Sequence, residues 1–327
     1  MQRSLVREWL VMALVLAIGL AAAAGRWFGR FDQAFYDMVM AVWRRAPSAE
    51  IVIVAIDDPS SAAIGRWPWP RQIHATVIDR IAQAGPAVLA VDMILAEPDL
   101  ENPRADQLLA MALAQLPVVL PIYIEATGTA SAGATMREVP PIKRFADAAR
   151  ALGHIDGEID LDGIARRVYL RQGIGVAKHW QLAAAAVEIA KPGTLNETIG
   201  ARHLAAPLSA ASVVRDQRFI IPFTGPPGQI ERISYAALLR GEVPAERLRG
   251  RIVFLGATAT GLGDAYPTPV SGESVAMPGI EINANVLTRY CVVSIFVRLH
   301  RCCKRSLRRW RYWRCSPATW CSVRAAR

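Results

Sequence analysis

Residues 51–71 read IVIVAIDDPSSAAIGRWPWPR, and the fold follows from this stretch. Ile51 to Ile56 is continuously apolar and mostly β-branched, the pattern of a strand buried on both faces of a parallel sheet. The run stops at Asp57 and Asp58, followed by Pro59. Carboxylates at the carboxyl end of a buried strand stand where open α/β sheets place ligands. Ser60 to Ile64 reads as a short helix, and Gly65-Arg66-Trp67-Pro68-Trp69-Pro70-Arg71 follows. Its prolines fix φ and hold the preceding residues extended, so both indoles ride on a stiff, non-helical segment.

Working outward, Gln72 to Ala84 has apolar residues at helical spacing and stops at Gly85-Pro86. Ala87 to Leu95 (AVLAVDMIL) reads as a second buried strand, interrupted by Asp92 and followed by Glu97, Pro98 and Asp99. Asp106 to Gln115 is expected to be helical and Val118 to Glu125 a strand, with Pro121 marking an edge or a bulge. Ala126 to Thr135 reads as a loop and Ile142 to Ala149 as a short helix. Leu152 to Ile159 and Val168 to Val176 flank Asp160–Gly163 as a hairpin, and His179 to Ile189 is helical. Phe219–Phe223 and Arg251–Leu255 are expected strands with the helix Ser234–Leu239 between them, and Ile280–Thr288 is a last helix. Strands alternating with helices predict an α/β fold: a mixed, mainly parallel sheet flanked by helices.

Two segments stand outside this pattern. Trp9 to Gly25 carries no charge between Arg7-Glu8 and Arg26. Its seventeen residues reach the short end of the ~17–25 that span a bilayer, so a retained transmembrane anchor is expected. The rival reading is a signal peptide cleaved at the small residues Ala21–Ala24. Phe28 to Trp43 then reads as an amphipathic helix leaving the membrane. At the other end, Cys291 to Arg327 holds nine Arg, one Lys and no acid, and so carries the entire net charge of +10. All five cysteines lie there too, which leaves the body with no disulfide to form. Arg309–Cys315, read two nucleotides later with CGN arginine codons, becomes an apolar run rich in alanine. The tail is therefore expected to be a shifted frame of a second membrane helix and not a nucleic-acid-binding arm. The domain reading is 1–26 cytoplasmic stub and anchor, 27–290 extracytoplasmic domain, and 291–327 aberrant tail.

IVIVAIDD, GRWPWPR and AGPAVLAVDMILAEPD resemble the opening of the type-2 CHASE domain, the second class of cyclase- and histidine-kinase-associated sensory extracellular domains. LGHIDGEIDLDGIARRVYL, SYAALLRGEVPAERLRGRIVFLGATATGLGDAYPTPVSG and MPGIEINANVLTRY are similar to its second half, in the family's order. The resemblance runs from Phe31 to Tyr290. It implies a non-catalytic sensory domain outside the plasma (inner) membrane, controlling a cytoplasmic histidine kinase, nucleotide or diguanylate cyclase, or protein kinase. In such receptors three further membrane helices usually precede the output module; neither they nor the module is legible here, so the receptor is read as truncated and single-pass. A homodimer is expected, and a small-molecule or ionic ligand. Arg3 and Arg7 before the anchor are outweighed by Arg26, Arg30, Arg44 and Arg45 after it, so orientation follows the resemblance, since long domains translocate largely regardless of such bias.

The expected ligand site is an acid cluster, Asp57, Asp58, Asp92, Glu97 and Asp99, at the ends of two strands that a right-handed crossover would set side by side. Such carboxylates suit a hard divalent cation or a cationic ligand, although Asp57 and Asp92 equally suit helix caps or partners for Arg66 and Arg71. Trp67, Trp69 and Arg71 join the site from the stiff turn, and Asp264 from the glycine-rich run Gly256–Asp264. That run lacks the lysine of a phosphate loop, and Asp156–Gly163 has leucine where an EF-hand needs glycine, so neither motif is assigned. No cofactor is expected beyond a divalent cation as one occupant of the acids. Two rivals remain from other classes: a periplasmic acid/base hydrolase using Asp57 and Asp92, and binding of nucleic acid or anionic membrane through the tail.

Overall fold

The computed structural model describes residues 9, 12–14, 16, 19, 29–42, 45–128, 135–195, 212–272 and 275–288. The expected anchor, Trp9–Gly25, lies mostly outside these residues and the tail, Cys291–Arg327, wholly so. Among the described residues no helix is long and apolar enough to cross a membrane.

Ile51–Ile56 is strand β1, buried at every position as its unbroken apolar run requires. Asp57 caps the short helix α2 (Asp58–Ile64), following helix α1 (Gly29–Val42) in chain order. The Trp-Pro turn delivers α3 (Arg71–Ala84), which ends on Gly85 in the left-handed region (φ 70°). Then come β2 (Val88–Asp92), α4 (Pro103–Leu113), β3 (Val118–Thr127), β4 (Thr135–Val139) and α5 (Lys143–Ala148). β5 (Ala151–His154), β6 (Glu158–Ile159), β7 (Ala165–Ile174) and β8 (His179–Gln181) lead into α6 (Leu182–Ala190). The last part holds β9 (Val213–Ile220), β10 (Arg232–Ser234), α7 (Tyr235–Arg240), β11 (Ile252–Ala257), and the small pair β12 (Ala265–Tyr266) and β13 (Met277–Pro278). A final helix, α8, has its described residues at 279–288.

Seven strands run parallel in the order β10-β1-β11-β2-β3-β5-β8, and β7 continues the sheet antiparallel, pairing β8, β6 and β9. Side-chain alternation splits the core in two. Val52, Val54, Ile56, Val253 and Leu255 face α3, α4, α5 and α7. Ile51, Ile53, Ala55, Ile252 and Phe254 face α6 and α8. This is the expected mixed, mainly parallel α/β sheet between helical layers.

The structure departs from the sequence reading in several places. β1 and β2 are not neighbours: β11 lies between them, with Val253 opposite both Val52 and Leu89. The crossover skips one place, and a strand some 160 residues later in the chain fills it. Leu152–Ile159 splits into the parallel strand β5 and the short antiparallel β6, so only part of the expected hairpin forms. His179–Gln181 is a strand because it pairs with both β5 and β7 before the helix starts. Met136–Val139, at the far side of the expected loop, pairs with Tyr123–Ala126. Pro121 does sit at a local edge: β2 pairs only with Val118 and Val119, so beyond them β3 has lost that neighbour.

Candidate ligand pocket

At the carboxyl ends of the parallel strands the molecule opens into a cavity of about 720 Å³. The position follows from topology. Helices after β1 and β2 pack on one face of the sheet, whereas the chain after β11 passes to α8 on the other, so β11 is a switch point with a crevice beyond its end. Ile56, Asp92, Trp67 and Ala257 form the sheet side, Gly279, Ile280 and Asn283 the α8 side, and Arg167, Gln172 and Arg215 the antiparallel side.

At Gly256 a Cβ would lie 2.9 Å from Ile280 Cδ1 and 3.1 Å from Asp92 Cβ, so a side chain there would have to push Ile280 of α8 aside. The loop after it spends its N–H groups locally: Thr258 and Ala259 donate to the Ile56 carbonyl (both 2.9 Å), and Thr260 to Asp58 Oδ1 (3.1 Å). They are not free to cradle a phosphate.

The residues singled out in the sequence do not converge on one site. Asp92, Trp67 and Asp264 reach the cavity. Asp57 instead caps α2, its Oδ1 accepting from Ser60 N (2.9 Å), from the Ser60 hydroxyl, and from Ser234 Oγ (3.1 Å). Asp58 holds the β11 loop, as above. Arg71 donates to the Glu97 carbonyl and pairs with Asp106 (2.8 Å), Asp106 accepts from Asp99 N (3.0 Å), and Asp99 accepts from Asn102 N (2.8 Å). That clamp orders residues 97–106 on its own and is separate from the cavity lining. The five acids are thus not one cluster, because β11 parts the strand ends that were to carry them. Asp57 and Asp92, the pair of the rival hydrolase reading, stand on either side of it. Among the described residues no three His, Cys, Asp or Glu side chains converge as metal ligands.

Trp69 is buried and packs against Tyr235 (centroids 5.0 Å), with its indole N–H on the Gly65 carbonyl (2.8 Å). His74 completes this aromatic knot, 2.7 Å from the Tyr235 hydroxyl. Burial, with Arg71 adding, lowers its imidazole to about 4, so it is neutral and shares one hydrogen bond with the phenol. Trp67 lies edge-on to Trp69 (5.3 Å) and shows its other side to the cavity; the Trp67–Pro68 peptide is cis.

Asp92 is the most perturbed acid of the pocket. Burial raises its carboxyl to about 6, Asn283 Nδ2 (3.1 Å) opposes the rise, and Asp264 adds to it. Below pH 4 the folded and unfolded chains are both protonated there. Between about 4 and 6 only the unfolded chain ionises, so stability falls as pH rises, and above 6 the fold carries the whole penalty of roughly 2–3 kcal/mol. Asp92→Asn keeps an acceptor for Asn283. By calorimetry its melting temperature is expected to match wild type at pH 4 and exceed it at pH 7.5; an equal gain at both would refute the assignment.

Other residues that build the site were missed. Glu281, Asn283 and Asn285 lie on a helix buried on every side, and each fastens a different element. Glu281 takes Gly228 N (2.9 Å) and Arg232, Asn283 takes Gln181 Nε2 (2.7 Å), and Asn285 takes Thr224 N (2.9 Å) and Oγ1 (3.1 Å). Polar residues alternating through an otherwise apolar helix were the available signal. Arg166, 2% exposed, was passed over inside the hairpin. It pairs with Asp37 of α1 (2.6 Å), Asp160 (2.9 Å) and Asp162 (2.8 Å), while Arg167 on the cavity side shares Asp160 (2.6 Å).

No curated protein and no solved structure matches the chain. The CHASE2 domain model matches residues 11–321, most of its length, and the chain therefore belongs to the CHASE2 domain family, extracellular sensory domains of signalling receptors.

Proposed function

We propose that this chain is the ligand-binding sensory unit of a membrane-bound receptor. Trp9–Gly25 anchors it in the plasma (inner) membrane, the body lies on the periplasmic side, and a homodimer relays occupancy to a cytoplasmic output module. The observation that carries the reading is the position of the 720 Å³ cavity, whose walls belong to elements that hold both α1 and α8. On one side Arg167 shares Asp160 with Arg166, which holds Asp37 of α1. On the other, Asn283 of α8 bonds Asp92 on the cavity wall. The two routes meet at Thr224, whose carbonyl accepts from Arg45 N just past α1 (3.1 Å) and whose N–H and hydroxyl donate to Asn285 of α8. A ligand that favours one arrangement of these contacts shifts the helices by its differential affinity for the two arrangements. The exposed side chains of Trp9, Met12, Leu14 and Leu16, all helical, suit a lipid-facing segment.

The placement is tested with Leu161→Cys, at a fully exposed hairpin tip, in a background whose tail cysteines are serine. A membrane-impermeant maleimide is expected to label it in intact cells. Labelling only after lysis would put the body on the wrong side and end the proposal.

A further inference from the structure

We propose that the pocket takes an organic cation: an ammonium group set against the Asp92–Asp264 carboxylate pair, with an apolar or aromatic body along the Trp67 wall. This rests on the cavity being the ligand site. Two carboxylates reach one end of the cavity, and among the described residues neither has a basic partner. Asp92 hydrogen-bonds Asn283, Asp264 hydrogen-bonds Tyr266, and the two carboxylates otherwise feel each other. The cavity's two cationic side chains lie on the opposite, antiparallel wall. Arg167 is already neutralised by Asp160, and Arg215 rests on Gln172 Oε1 (3.3 Å). An anion would therefore enter a space whose sheet end repels it. The adjoining walls are Ile56, Ile280 and Leu262 with the rings of Trp67 and Tyr266, whose π-systems suit a cation and an apolar body. A bare divalent metal fits less well: two carboxylates and one amide fall short of the six to eight oxygens that calcium collects.

The chemistry is testable with the full chain in lipid nanodiscs at pH 7.5, using phenethylammonium as probe. Its neutral analogue 2-phenylethanol, its anionic analogue phenylacetate, and calcium chloride serve as comparisons. By calorimetric titration the ammonium is expected to bind saturably, at least tenfold tighter than either analogue. Asp264→Asn, a change at an exposed rim residue, is expected to weaken it tenfold or more with an unchanged circular dichroism spectrum. Ala165→Trp, which fills the cavity from its wall, is expected to abolish binding. Equal or tighter binding of phenylacetate or 2-phenylethanol, lost in Ala165→Trp, would overturn the cation preference and leave the pocket standing. Calcium binding that displaces the ammonium, or an Asp264→Asn variant that binds it undiminished, would also overturn the preference. Binding of none of the four would overturn both the preference and the pocket.

Discussion

Arg166→Met is expected to cost the fold about 3–5 kcal/mol, measured by chemical denaturation of the full chain in micelles. Methionine nearly fills the space, so the loss is electrostatic. The guanidinium holds Asp37, Asp160 and Asp162 at once, from a position 2% exposed. Without it Asp160 keeps Arg167 and the more distant Arg218, whereas Asp37 and Asp162 lose the ion pair that joins them. Adding Asp37→Asn to the Met variant is expected to recover part of the loss, because one stranded charge disappears. Lys143→Ala removes an exposed pair with Asp147 and is expected to change stability by less than about 0.5 kcal/mol. If Arg166→Met behaved like Lys143→Ala, the buried network would not be what fastens α1 to the body.

Phe254→Ala is the second large effect, also about 3–5 kcal/mol. Phe254 is fully buried in β11, the strand that β1 and β2 enclose, and its ring belongs to the core beneath α6 and α8. Truncation leaves a void that paired strands on both sides cannot close. Phe254→Leu keeps most of the volume and is expected to cost under about 1.5 kcal/mol. A denaturant titration separates the two: the midpoint moves in both, far more for alanine, while the slope stays fixed. Near-equal midpoints would show that the site collapses around the void.

Local signals were strong wherever one residue's chemistry decides. The run 51–56, the stop at Gly85-Pro86 and the edge behaviour of Pro121 were all legible, because buried strands, left-handed caps and a missing N–H act within a few residues. Asp92, Trp67 and Asp264 were legible as pocket residues for the same reason: each ends or follows a recognisable strand or turn. The insertion of β11 was not, since nothing in residues 51–92 records that a distant segment will take the place between them. That one non-local pairing dispersed the acid cluster, sending Asp57 to a cap and Asp99 to a clamp. Nor was Arg166 separable from Arg167: adjacent strand residues point to opposite faces, and only the folded sheet says which face is dry.

The jacket around α8 has one more consequence. Every described residue of that helix except Gly279 is buried, and its polar side chains are tied to Asp92, to Gln181 and to the segment from Thr224 to Arg232. Beyond the cavity wall, a rod so enclosed has little wet flank on which to creep by small degrees. Any travel of it would require several hydrogen bonds to exchange together, which favours discrete seats over gradual sliding.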